Sequence, residues 1–133
     1  MLISGGKNDI DISDVEKHTK LNRFKPDEKP DEAAYLAEFW AFLKALPNAQ
    51  KEKFLAFITG SDRPPLLGFK FLYPPFCVSK LDVDDPNNLR FPTASTCANM
   101  LHLPYYGPSQ EGLAKMRKVM TDAINEAQGF YFA

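Results

Sequence analysis

The spacing of apolar residues along the chain predicts helices at its start, through its first half and at its end. Between Asp11 and His18, Ile12 and Val15 share one face with Thr19 beyond them, and acidic residues lead while basic ones follow. That order complements the dipole of a short helix. Leu36, Phe39, Trp40, Leu43 and Leu46 recur at three- and four-residue steps, which predicts a helix with Asp31 as N-cap and Pro47 as its stop. Asn48 then caps a second helix to about Thr59, with Phe54, Leu55 and Ile58 inward and Gly60 at its end. Ser109 opens the last helix, along which Leu113, Met116, Met120, Ala123, Ile124 and Ala127 form a stripe, and Gly129 reads as its terminator.

Between these helices the periodicity changes. Asn22 to Asp31, with Pro26, Pro30 and a run of charges, reads as an exposed extended loop. Ser61 to Phe69 reads as a proline-rich loop that packs on the core. Phe76 to Leu81 is a candidate strand, and Asp82 to Asn88 a turn cluster. Residues 91 to 103 are irregular, with β-compatible positions at Phe91, Thr93 and Thr96. Phe130-Tyr131-Phe132-Ala133 reads as a terminal strand or tail, and the coarse class is α+β.

Composition narrows the function. A chain of 133 residues has room for one domain, and 44% hydrophobic with 25% charged residues is ordinary for a protein that folds in water. A net charge of -1 supplies no basic footprint for nucleic acid or for an acidic membrane surface. No apolar run of about 18 residues and no signal-peptide pattern occur, so a reducing cytoplasmic or nuclear setting is expected.

Candidate chemistry is sparse. The phosphate-binding glycine loop, the paired-histidine metal motif and the nucleophile elbow are all missing from the sequence, and two cysteines with two histidines make a metal site or cofactor unexpected. Cys77, between Phe76 and Val78, reads as a buried small hydrophobe. Cys97 lies among small polar residues, Pro92-Thr93-Ala94-Ser95-Thr96-Cys97-Ala98-Asn99, where a thiol would be accessible. With no base visible beside it, the residues alone leave both an inert and a reactive thiol open. A cysteine hydrolase would need His102 to turn back toward Cys97.

The segment Phe91 to Tyr106 resembles the active-site segment of the HECT family of ubiquitin-protein ligases, in which Thr-Cys is followed by Asn two positions on and then by Leu-x-Leu-Pro; here these are Thr96-Cys97, Asn99 and Leu101-His102-Leu103-Pro104. Phe39-Trp40, Phe57-Ile58-Thr59-Gly60, Arg63-Pro64-Pro65 and Gly68-Phe69 are similar to upstream landmarks, and Ala123-Ile124 with Gly129-Phe130 to the family's end. Within the family the pattern is most like the Hul5 branch.

The resemblance implies a HECT C-terminal catalytic lobe at residues 9–133, with helices on a short mixed sheet, preceded by a hinge remnant at 1–8. The N-terminal lobe, which would bind the ubiquitin-conjugating enzyme, is not within this sequence. Cys97 would accept ubiquitin as a thioester and pass it to a lysine of a substrate protein. Thr96 and Asn99 would orient the loop, Phe130 would serve lysine transfer, and Leu101 and Leu103 would contact the ubiquitin tail. A noncatalytic ubiquitin- or partner-binding module is the alternative for the separated lobe. The sequence departs from the family pattern at Ser95, where many members carry histidine, and at Ala98 and Phe91. A general-base role for position 95 is therefore not carried over.

Overall fold

A computed structural model describes residues 10–60, 68–85, 87 and 89–131, with side chains except at 71 and 127–131. Residues 1–8, expected as a hinge remnant, residues 61–67 of the expected proline-rich loop and the final two residues lie outside this description. Helix α1 (Ile12–Lys17) leads into strand β1 (Lys20–Asn22), followed by helices α2 (Pro30–Ala45) and α3 (Asn48–Thr59). A 3-10 turn at Phe69–Phe71 precedes β2 (Cys77–Asp82). Strand β3 (Thr93–Ser95), a 3-10 turn (Thr96–Ala98), strand β4 (Met100–Tyr105) and helix α4 (Gln110–Tyr131) complete the described chain.

The strands form one mixed sheet in the order β1-β2-β4-β3. β1 and β4 each run parallel to β2, while β3 runs antiparallel to β4. The expected α+β class with helices on a short mixed sheet is therefore what the chain forms.

One buried cluster joins the elements. Tyr35, Leu36, Phe39, Trp40 and Leu43 of α2, Phe54, Leu55 and Ile58 of α3, and Met116, Met120 and Ile124 of α4 pack with Val78, Leu101 and Leu103 of the sheet. These are the stripe residues that helical spacing selects, because an amphipathic helix gains its stability by removing that face from water. Gly60 ends α3 in the left-handed region at φ 79°, as a glycine at that position permits. Ser109 caps α4, its Oγ accepting from the Gly112 N–H at 3.1 Å.

Local reading fails at several ends. Lys29, not Asp31, is the N-cap of α2; Pro30 takes the first helical position and Asp31 falls inside the first turn. Asn48 is the first residue of α3 rather than its cap, and its Oδ1 accepts from the distant Ile10 N–H at 2.8 Å. Gly129 does not terminate α4, which continues to Tyr131. The Asn22–Asp31 loop is not wholly exposed, since Phe24 is buried against Tyr35 and Tyr105.

Charge is buried at one place that matters for the sheet. Glu32 is 2% exposed, and its carboxylate accepts from Lys80 Nζ at 2.6 Å and from the Lys25 N–H at 2.7 Å. Lys80 also lies over the Tyr105 ring, 4.9 Å from its centroid. Tyr35, from the next turn of α2, donates its hydroxyl hydrogen to the Pro104 carbonyl and accepts from the Tyr106 N–H. Helix α2 is thereby tied to β2 and to the C-terminal end of β4.

Burial of Glu32 raises its pKa, but the Lys80 hydrogen bond, the Lys25 N–H and the Lys80 and Lys29 charges outweigh it, so the group lies below its ordinary value of 4.5. A depressed carboxylate adds stability that is complete above the unfolded pKa and disappears as pH falls through the folded one. Glu32→Gln should cost about 3 kcal/mol at pH 7, because Lys80 is left without its partner. Urea unfolding at pH 7 and pH 3 should show the gap between wild type and variant narrowing at the lower pH.

Candidate functional site

Cys97 stands at the tip of a hairpin. Thr93, Ala94 and Ser95 of β3 pair with His102, Leu101 and Met100 of β4, so the chain reverses within the four residues from Thr96 to Asn99. Thr96–Ala98 form the 3-10 turn, and the Asn99 N–H closes it on the Thr96 carbonyl at 3.3 Å. Asn99 itself sits at φ 51°, ψ 44°, in the left-handed region that asparagine enters more readily than most residues.

Asn99 also ties the turn to the adjoining part of the sheet. Its side-chain Nδ2 donates to the Pro74 carbonyl at 2.7 Å, and its own carbonyl accepts from the Cys77 N–H at 3.0 Å. At 7% exposure it is among the few buried polar residues described. The peptide bond between Tyr73 and Pro74 is cis. On the other side, Thr96 lies beside the end of α3, where a Cβ placed on Gly60 would be 4.0 Å from the Thr96 Cβ. The approach to β3 is held by Tyr106, whose hydroxyl accepts from the Arg90 N–H at 2.6 Å and donates to the Arg90 carbonyl at 2.8 Å.

Within this frame Cys97 is exposed and unpaired, as its small polar neighbours predict. Cys77 is half-buried, and burial raises its thiol pKa. Thr96 is exposed beside Cys97. A groove of about 300 Å³ lined by Glu16, Leu21, Pro26, Leu36 and Trp40, among others, shares no residue with the turn, so it does not serve Cys97.

Two expectations change. Leu101 and Leu103, expected to touch the ubiquitin tail, are 0% exposed and belong to the core. Alternation along β4 turns both toward the helices, and exposing either side chain would forfeit roughly 1.5–3 kcal/mol of burial. Met100 and His102 occupy the opposite face. Phe130 lies in the final turns of α4 by its backbone, and its side chain is outside the described residues.

Neither the Ser95–His102 contact nor the Pro74 anchor is evident in the irregular reading of 91–103. His102 Nε2 lies 3.1 Å from Ser95 Oγ. The signal available was Leu101 and Leu103 alternating with Met100 and His102, a period-2 pattern that marks β4. Nothing local marks the Pro74 carbonyl.

Comparison with known proteins gives the family. The family model described as HECT-domain (ubiquitin-transferase) matches residues 1–133. The chain is 33% identical over 98% of its length to the E3 ubiquitin-protein ligase HUL5 of Saccharomyces cerevisiae. It is 37% identical over 80% of its length to the E3 ubiquitin-protein ligase UPL6 of Arabidopsis thaliana, and 33% identical over 99% to the E3 ubiquitin-protein ligase HUWE1 of Mus musculus. It spans only 13%, 10% and 3% of those three proteins, respectively. The chain belongs to the HECT-domain (ubiquitin-transferase) family.

Two measurements check the site. Alkylation followed by peptide mass spectrometry should modify Cys97 at least about tenfold faster than Cys77, since the thiolate is the reactive form and burial opposes it at Cys77. Asn99→Gly, which keeps the left-handed backbone but loses the Pro74 bond, should lower unfolding stability by about 1 kcal/mol. Asn99→Ala, which loses the bond and strains the backbone as well, should cost about 2 kcal/mol.

Proposed function

We propose that this chain is the C-terminal catalytic lobe of a HECT ubiquitin-protein ligase and that Cys97 is its ubiquitin-carrying nucleophile. The observation that supports this most directly is the exposed thiol at the tip of a turn anchored through Asn99, within a sequence that belongs to the family along its full length. A cysteine suits the task because its thiolate is a strong nucleophile and its thioester remains reactive toward amines.

In the proposed cycle the Cys97 thiolate attacks the carbonyl carbon of the thioester linking the ubiquitin C-terminus to a conjugating enzyme. A new C–S bond forms at Cys97, and the conjugating enzyme's cysteine leaves as thiolate. A substrate lysine amine then attacks the same carbon. The C–N bond forms, Cys97 leaves as thiolate, and the amine proton passes to solvent or a base. Both steps go through a tetrahedral oxyanion. The i→i+3 bonding of the 3-10 turn engages the Ala98 N–H with the Ser95 carbonyl and leaves the Cys97 N–H without a partner inside the turn, so the Cys97 amide is a suitable donor to that charge.

In this reading Thr96 and Asn99 are positioning residues: one lies against the end of α3, and the other binds Pro74 and Cys77. Phe130 retains its proposed part in lysine transfer. The conjugating enzyme would bind a separate N-terminal lobe, and a reducing cytoplasmic or nuclear setting would keep both thiols free. His102 directs Nε2 to Ser95 rather than serving as a hydrolase base.

The test uses full-length ligase containing this segment, with ubiquitin, activating enzyme, conjugating enzyme and ATP. Wild type and Cys77→Ser should form a thiol-labile ubiquitin adduct. Cys97→Ser should lose it and accumulate a hydroxylamine-sensitive ester, because an oxygen ester is less reactive toward amines. A thiol-labile adduct that persists in Cys97→Ser would overturn the assignment, and no adduct in wild type would favour the noncatalytic binding module.

A further inference from the structure

We infer that His102 keeps the Cys97 amide open by holding the Ser95 hydroxyl away from it. The inference rests on the reading of Cys97 as the ubiquitin-carrying nucleophile. Ser95 is the residue immediately before the 3-10 turn Thr96–Ala98, in extended conformation at φ -106°, ψ 94°. A serine placed there ordinarily caps the turn, its Oγ accepting from the open amide two positions on, which here belongs to Cys97. No side-chain hydrogen bond caps this turn. The Ser95 hydroxyl is engaged by His102 Nε2 at 3.1 Å instead.

The sheet makes this diversion possible. Ser95 pairs with Met100 and Thr93 with His102, so Ser95 and His102 are diagonal neighbours on one face of the antiparallel pair. Diagonal positions are about 7–8 Å apart at their backbones, a gap that an imidazole spans and a short side chain does not. Whichever ring tautomer is present, Nε2 satisfies the serine hydroxyl as acceptor or donor. The Cys97 amide that a cap would occupy then remains available to the tetrahedral oxyanion formed on Cys97. His102 is a positioning residue in this scheme, since it acts through Ser95.

A merely structural histidine would leave Ser95→Ala without benefit in the His102 variant, whereas a competing cap makes that second substitution restorative. In His102→Ala the freed Ser95 hydroxyl swings onto the Cys97 amide and competes with the oxyanion. Loss of one such donor costs about 10²–10³ in rate where it is complete, so a partial cap should slow transfer by about tenfold. Removing Ser95 as well abolishes the competitor, and the double variant Ser95→Ala/His102→Ala should return to within about twofold of wild type. Ser95→Ala alone should be near wild type, and His102→Gln, whose amide also reaches a diagonal hydroxyl, should be close to it.

The measurement is single-turnover discharge of ubiquitin from Cys97 to saturating free lysine in the full-length ligase, after loading and removal of the conjugating enzyme. Formation of the thiol-labile adduct on Cys97 in wild type tests the functional reading separately from this inference. If His102→Ala lowers the melting temperature, His102→Val, which suits a strand and makes no hydrogen bond, takes its place. Slow discharge in the single variant with recovery in the double supports the inference. Discharge at the wild-type rate in the His102 variant, or a double variant as slow as the single, overturns it.

Discussion

The exposure of Cys97 depends on a reversal that one residue closes. Because β4 runs parallel to β2 while β3 runs antiparallel to β4, the chain must turn back between Ser95 and Met100. A single 3-10 turn covers most of that path, and the remaining change of direction requires a residue at positive φ. Asn99 takes it, and its side chain and carbonyl are both fixed to the chain around the start of β2. The same residue therefore sets the backbone path, anchors the turn and leaves the cysteine facing outward. A glycine would serve the first need and not the second.

The sheet that holds this hairpin is positioned by polar ties within an apolar core. Leu101, Leu103 and Val78 bury against the helices, but apolar contact has no direction and tolerates small shifts. The Glu32–Lys80 pair, the Lys80 contact with the Tyr105 ring and the two bonds of the Tyr35 hydroxyl have direction. They connect α2 to β2 and to the end of β4. A buried ion pair adds little net stability when complete and costs much when one partner is lost.

The helices were largely legible in the sequence because their evidence is local. Stripes at three- and four-residue spacing identify the buried faces of α2, α3 and α4, and Ser109 and Gly60 mark ends that the structure retains. The failures share a cause. Asn48 has the chemistry of a cap but accepts from Ile10, whose proximity no local pattern reveals. β1 is three exposed residues whose only reason to extend is the parallel partner β2, and β4 lies in a stretch broken by a histidine and a proline. Leu101 and Leu103 fit either a core or a partner surface by type, and only the helices packed on their face decide between them.

By itself the sequence determined the fold class, the helical faces and the family, because periodicity and motif are properties of neighbouring residues. It also singled out Cys97, through the small polar residues around it and the Thr-Cys-x-Asn pattern. The tertiary structure alone decided that Asn99 reaches Pro74, that Leu101 and Leu103 are interior and that Ser95 bonds His102 instead of capping its own turn. The physical reason is range. Those choices are settled by groups brought together by strand pairing and helix packing, and a hydrogen bond goes to whichever partner the folded chain places at bonding distance.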